Sequence, residues 1–295
     1  MMKVKDNSTV CFFGDSITAN GLWIKDIWEN IHKCTRKLFN CGIPGDSAVN
    51  AKSRIYETCL IHAPDYVTVM FGMNDIGRNL YLDDENKGER EKRLNIYKES
   101  MDEIINTIMR CGAEPILITP TPYDEYGDAI AKNLKCNAGI DACVEIMHEL
   151  AQKYSLFLID FNSEFKKRMI KEKIVGPDRV HPNNDGHKVM AQSFLRAIEI
   201  ETAGAEETPQ NRRRYEIEQE LIRILFVDYA LLADKLKGGF ATLDDKKKMC
   251  REMMDGIVDG ESNDRDFIKK MCINYIENGD TVTELRRKLV RLTLE

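Results

Sequence analysis

Val10-Cys11-Phe12-Phe13-Gly14-Asp15-Ser16-Ile17-Thr18-Ala19-Asn20-Gly21 is the stretch from which the fold of this chain is read. Val10 to Phe13 is an unbroken apolar run of the kind that forms a strand buried on both faces. Gly14 allows a sharp turn, Asp15 and Ser16 follow, and a helical pattern begins near Leu22. In open α/β sheets ligands bind outside the carboxyl ends of the strands. A serine at the end of a first, central strand is therefore held on fixed backbone and faces that crevice. The same residues also suit an ordinary strand-to-helix turn in which Ser16 or Thr18 caps the helix. The rest of the chain decides between the two.

Leu22 to Cys34 carries Leu22, Trp23, Ile27, Trp28 and Ile31 near helical spacing. Lys37 to Cys41 reads as a second strand and ends in Gly42-Ile43-Pro44-Gly45-Asp46-Ser47, a tight loop with two permissive glycines. A helix through Ile61 follows. Tyr66 to Phe71, rich in β-branched and aromatic residues, is a third strand, and it stops at Gly72-Met73-Asn74-Asp75. Ile76 to Glu91 is polar and loop-like, and a long helix is predicted from about Arg93 to Arg110, with Gly112 at its carboxyl end. Pro115 to Ile118 forms a fourth strand that opens into the proline-broken Thr119 to Tyr123. A helix ending near Tyr154, a fifth strand at Leu156 to Asp160, a helix near Ser163 to Lys173 and a last helix from Asp185 to about Glu199 complete the pattern.

Strands and helices alternate five times, which predicts parallel strands joined by right-handed crossovers. The expected fold is a three-layer α/β/α, flavodoxin-like domain with a five-stranded parallel sheet over residues 1–202. A small, polar linker is expected at 203–211. Residues 212–295 lose every strand signal and read as an all-helical domain, with Thr281-Val282-Thr283-Glu284 as a capping box for its last helix. It carries no catalytic constellation and is read as structural or as a homo-oligomer interface.

The 295 residues are 43% hydrophobic and 31% charged, with a net charge of -6, the composition of a soluble globular protein. That balance argues against nucleic acid as a partner, because phosphate binding needs a concentrated basic surface. The nine cysteines include no Cys-x-x-Cys pair, so reduced, buried thiols are expected rather than a disulfide framework or a zinc site. The amino terminus, Met1 to Thr9, lacks the apolar stretch of a signal peptide. No segment approaches the roughly 18 apolar residues of a membrane span. A cytoplasmic location is expected.

Four loops at one sheet edge supply the chemistry. The first offers Ser16, the second the backbone N–H of Gly45, the third the side-chain amide of Asn74, and the fourth Asp178-Arg179-Val180-His181-Pro182. A serine hydroxyl needs a neighbouring base to become a nucleophile, and a neutral imidazole supplies one. That imidazole needs a partner on its other nitrogen, and Asp178 can curl back onto His181 within one turn. Attack on an ester places negative charge on the carbonyl oxygen, for which the Ser16 and Gly45 N–H groups and the Asn74 amide are three donors.

These blocks, Gly14-Asp15-Ser16, Gly42-x-x-Gly45-Asp46, Gly72-x-Asn74-Asp75 and Asp178-x-x-His181, resemble in order those of the SGNH hydrolase superfamily, the GDSL lipase/esterase family. The resemblance covers about Thr9 to Ala197. It implies Ser16 as nucleophile and first oxyanion donor, Gly45 and Asn74 as the second and third donors, His181 as base and Asp178 as its orienting acid. Ile17 stands where the family name has leucine. The helical tail has no counterpart in the minimal family fold.

The first functional reading is a serine esterase that cleaves a small carboxylic ester through an acyl-Ser16 intermediate, with no metal or organic cofactor. The acyl group is expected to be short and the alcohol a sugar, with Tyr81, Tyr123 and Tyr126 on loops expected to rim the crevice. A thioesterase, a lysophospholipase or an acyltransferase would use the same residues. A flavodoxin-like phosphate- or nucleotide-binding module, cradling phosphate at Gly14 to Gly21, is opposed by Asp15 and leaves Asp178 and His181 unexplained. An inactive interaction protein leaves Ser16, Asp178 and His181 without a purpose. His32, His62 and His148 read as surface or core histidines, and His187 as one held by a structural hydrogen bond.

Overall fold

The computed structural model describes residues 1–5, 8–31, 37–82, 85–127 and 131–201. The expected linker at 203–211, the expected all-helical domain at 212–295 and His32 lie outside these residues.

The sheet is built from β2 (Thr9–Gly14), β3 (Lys37–Gly42), β4 (Tyr66–Met70), β5 (Glu114–Ile118) and β6 (Phe157–Ile159). They lie in the order β3-β2-β4-β5-β6, all parallel, so the expected five-stranded arrangement is the one observed. Every residue of β2 and of β4 is buried, as strands covered by helices on both faces must be. The pleat sends Phe12 and Phe13 to opposite layers. Phe12 meets Trp23 edge-on at 5.1 Å, in the layer of α2 (Leu22–Ile31), α6 (Phe161–Met169) and α7 (Asn184–Ala197). Phe13 meets Phe71 at 5.3 Å, in the layer of α3 (Ala48–Thr58), α4 (Lys87–Arg110) and α5 (Asn137–Tyr154).

Register places the site. Gly14 lies opposite Gly42 on one side and Met70 on the other, so β2, β3 and β4 end level and their outgoing loops share one edge. Gly42 has to be a glycine there. A Cβ on it would stand 2.3 Å from the backbone nitrogen of Ala19 in α1 (Ser16–Asn20).

The structure departs from the sequence pattern in several places. The amino terminus forms β1 (Met2–Lys5), which pairs in parallel with β7 (Ile198–Glu201) as a separate two-stranded sheet. Met2 and Val4 are buried in it and Lys3 and Lys5 are exposed, an alternation too short to stand out before its distant partner is known. For the same reason the last helix stops at Ala197, and Ile198 is already extended. The helix α4 begins at Lys87 rather than Arg93, its first turns carrying ion pairs such as Lys87–Glu91 and Lys92–Glu89 instead of an apolar stripe. Within the stretch read as loop, Arg78–Tyr81 winds into a 3₁₀ turn. Among the described residues no helix is long and apolar enough to cross a membrane.

Candidate active site

Ser16 opens α1, directly after the turn at the end of β2. Asp15 is the helix N-cap, and its carboxylate accepts from the Ile17 N–H at 2.9 Å. The N–H of a first helical residue has no partner within its helix, so that of Ser16 is not spent on α1. Ser16 Oγ is 2.8 Å from His181 Nε2, and His181 Nδ1 is 2.5 Å from Asp178 Oδ2. The other carboxylate oxygen, Oδ1, accepts from the N–H groups of Val180 and His181, both at 3.0 Å. Burial pushes the Asp178 carboxyl up, but the His181 ring and these two amides outweigh it and hold it below the usual carboxylate range.

Arg179 braces this loop. It takes a left-handed backbone conformation (φ 68°), and its buried side chain donates to the carbonyls of Ala131 at 2.7 Å and Asp124 at 2.5 Å. Gly176 donates to the His181 carbonyl at 2.7 Å, and Asn183 caps α7 immediately after it. The loop is therefore tied down on both sides of the imidazole.

The second and third loops are stitched together. Gly45 is exposed with φ 76°, a conformation that suits glycine. Asn74 Nδ2 donates to the Asp46 carbonyl at 2.8 Å, and Asp75 Oδ1 accepts from the Ala48 N–H at 2.8 Å. Burial raises the Asp15 carboxyl to about 6 and the Asp75 carboxyl to about 7, against the backbone donors that favour their charged forms. Asp75 Oδ2 is buried and meets no hydrogen-bond partner among the described residues.

Sequence reasoning missed Arg54. From α3 its guanidinium donates Nε to Asp46 Oδ2 at 2.7 Å, Nη1 to the Cys41 carbonyl at 2.9 Å and Nη2 to the Gly14 carbonyl at 3.1 Å, while it stacks 4.5 Å from the centre of the Phe13 ring. One side chain thus joins the ends of β2 and β3 to the loop of Gly45. The available signal was an arginine on the same helical face as Ala51 and Ile55, a position that otherwise takes apolar residues.

Of the three tyrosines, Tyr123 and Tyr126 border one cavity and Tyr81 does not line it. Tyr123 is 2% exposed, packs in the core and spends its hydroxyl on the Lys132 carbonyl at 2.6 Å. Tyr81 is half-buried under the Arg90 guanidinium, with its hydroxyl against Gly139, and so packs between elements rather than lining an opening. Tyr126 is 90% exposed and borders a cavity of about 790 Å³ with Pro122, Lys166 and Ile170. Neither Ser16 nor His181 lines that cavity. His62 stacks on Phe39 at 3.9 Å, and His148 is exposed. His187 departs from expectation: it is buried, and neither ring nitrogen finds a partner among the described residues. Burial, aided by the nearby His181 charge, lowers its pKa to about 4.

The sequence profile of the GDSL-like lipase/acylhydrolase family matches residues 12–189, more than half of the chain. The chain belongs to this family. It is a serine carboxylic ester hydrolase on the α/β fold of SGNH esterases. An acetylxylan esterase of Geobacillus stearothermophilus is 22% identical over 224 residues, 68% of this chain and 98% of the relative. A solved catalytic mutant of that esterase, Axe2, has a TM-score of 0.57, covering 70% of this chain and all of the other at 22% identity. The uncharacterized lipoprotein YqeF of Bacillus subtilis (strain 168) is 30% identical over 126 residues, 39% of this chain and 49% of its own length. A gut microbial diltiazem-metabolizing enzyme superposes with a TM-score of 0.62 over 99% of this chain and 96% of its own, at 18% identity.

Proposed function

We propose that Ser16, His181 and Asp178 hydrolyse a short-chain acyl ester, with an acetylated carbohydrate as the substrate class. The observation that carries the reading is the continuous relay Ser16 Oγ, His181 Nε2, His181 Nδ1, Asp178 Oδ2, at 2.8 and 2.5 Å. With the Nδ1 proton held on Asp178, Nε2 is the basic nitrogen and faces the hydroxyl it has to deprotonate. Ser16 then attacks the ester carbonyl, and His181 passes the proton to the departing alcohol. Water enters by the same route in reverse and releases the acid.

Negative charge on the tetrahedral intermediate is met by the Ser16 and Gly45 N–H groups and by Asn74. One Asn74 N–H is engaged by the Asp46 carbonyl, and a primary amide has a second to give. Its bond to Asp46 thus fixes the amide rather than consuming it. The acetyl group is suggested by the acetylxylan esterase relative, whose own length this chain covers almost completely. No step calls on a metal or an organic cofactor. Residues 212–295 are proposed as a homo-oligomer interface of a cytoplasmic enzyme. Sedimentation of a chain ending at Thr202 with an unchanged oligomeric state would oppose the interface.

The deciding experiment measures hydrolysis of p-nitrophenyl acetate, butyrate and octanoate, and acetate release from acetylated xylo-oligosaccharides, beside Ser16→Ala. Serine-dependent turnover that falls with acyl length and includes the oligosaccharides supports the reading. Turnover that rises with chain length refutes the acetyl assignment.

A further inference from the structure

Beneath the edge that carries Ser16, three cysteines arrive from three directions: Cys11 in β2, Cys41 in β3 and Cys59 at the end of α3. All three are free and buried, and their sulfurs lie within 4.8 Å of one another. Sulfurs that share one ion at about 2.3 Å are no more than about 4.0 Å apart. Drawing the three onto a common centre therefore takes side-chain adjustments of less than about 1 Å. The other buried thiols among the described residues, Cys111, Cys136 and Cys143, form no such group.

The donor set and its surroundings choose the ion. No imidazole or carboxylate of the described residues joins the three sulfurs at ligand distance, so the site is all-sulfur and three-coordinate. Soft thiolate ligands select thiophilic ions. The cation beside the cluster, Arg54, is already paired with Asp46 at 2.6 Å. Three thiolates around a divalent ion would leave a net negative charge in an apolar core, where an uncompensated charge is costly. A trivalent ion content with three sulfurs leaves none.

We propose that Cys11, Cys41 and Cys59 form a trithiol site for a trivalent thiophilic ion of the arsenite class. Arsenous acid condenses with the three S–H groups. Three As–O bonds break, three As–S bonds form, and each thiol proton leaves with a hydroxyl as water. Arsenic stays trivalent, so nothing is oxidised or reduced. The product clips β2, β3 and α3 together directly under the turns that carry Ser16 and Gly45.

The test is native mass spectrometry of the full-length, reduced protein after overnight incubation with inorganic arsenite, with thermal melting in parallel. One arsenic per chain is expected, with a mass showing the loss of three protons, together with a rise in melting temperature. Cys11→Ser, Cys41→Ser and Cys59→Ser should each abolish that species, while Cys136→Ser and Cys143→Ser retain it. The wild type decides even where a variant fails to fold. No adduct, or an adduct that keeps a hydroxyl and so is held by two sulfurs, overturns the site. Persistence of the three-proton species in a folded cluster variant overturns it equally.

Discussion

Replacing Arg54 by methionine should unsettle the protein far from the reacting atoms. The exchange keeps an apolar stem against Phe13 and removes only the guanidinium. Asp46, whose side chain is 6% exposed, then loses its cation at 2.6 Å and is left as a buried, unpaired carboxylate. The Gly14 carbonyl loses one donor but keeps the Ile43 N–H at 3.1 Å, and the Cys41 carbonyl loses its donor at 2.9 Å; a lost neutral acceptor bond costs less than a stranded charge, which dominates. Breaking a buried pair from one side costs about 3–5 kcal/mol, a large share of the roughly 5–15 kcal/mol that holds a folded domain. Urea unfolding followed by circular dichroism at pH 7 should show that loss, and ester hydrolysis should fall because Arg54 joins the Ser16 turn to the Gly45 loop. Adding Asp46→Asn to Arg54→Met removes the stranded charge and should recover part of the stability. Arg54→Lys should fall between wild type and Arg54→Met, since an ammonium cannot reproduce the fork. A change of under about 0.5 kcal/mol for Arg54→Met, the range of a neutral surface substitution, would refute the clamp.

Ser16→Ala should abolish ester turnover with an unchanged melting temperature; retained turnover would place the nucleophile elsewhere. Asn74→Ala should lower kcat by about 10²–10³, the usual loss for one oxyanion donor, and a full rate would remove Asn74 from the oxyanion hole. Asp75 is raised to about 7 by burial, so the folded state holds a proton that the unfolded chain releases from about pH 4 upward. Its contribution to stability is present at low pH and is lost as pH rises to about 7. Asp75→Asn should therefore gain on wild type in urea unfolding at pH 8 compared with pH 5, and an equal difference at both would count against it. His187 has the opposite sign: its pKa is lowered to about 4, so its contribution is present above about pH 6.5 and lost as pH falls towards 4. His187→Leu should flatten that acid limb at little cost near pH 7, because neither ring nitrogen gives up a hydrogen bond among the described residues.

The five sheet strands and the two helical layers were legible because each is a local pattern. Val10 to Phe13 and Tyr66 to Phe71 are apolar without interruption, and the helices between them carry periodic faces, so burial on both sides of a parallel sheet is written into short windows. The residues proposed for catalysis were legible for a related reason: Ser16, Gly45 and Asn74 sit in turns that follow strands, and Asp178 and His181 in the loop before the last helix, where glycine, asparagine and aspartate are chosen by backbone geometry as well as by chemistry. Even the return of Asp178 onto His181 spans a single turn, and the structure forms it.

What stayed hidden depends on partners distant in sequence. Met2 and Val4 become a strand only through Ile198 and its neighbours, and Arg54 becomes a clamp only when Gly14, Cys41 and Asp46 surround it. Tyr123 reads like a loop tyrosine until Lys132 and Asn137 close over it. The sequence by itself determined which backbone forms strands and which turns present a serine, an amide and an imidazole, since these follow from local sterics and periodicity. Only the tertiary structure decided which charges are buried together and which thiols meet. Desolvation and pairing depend on neighbours that chain order does not specify.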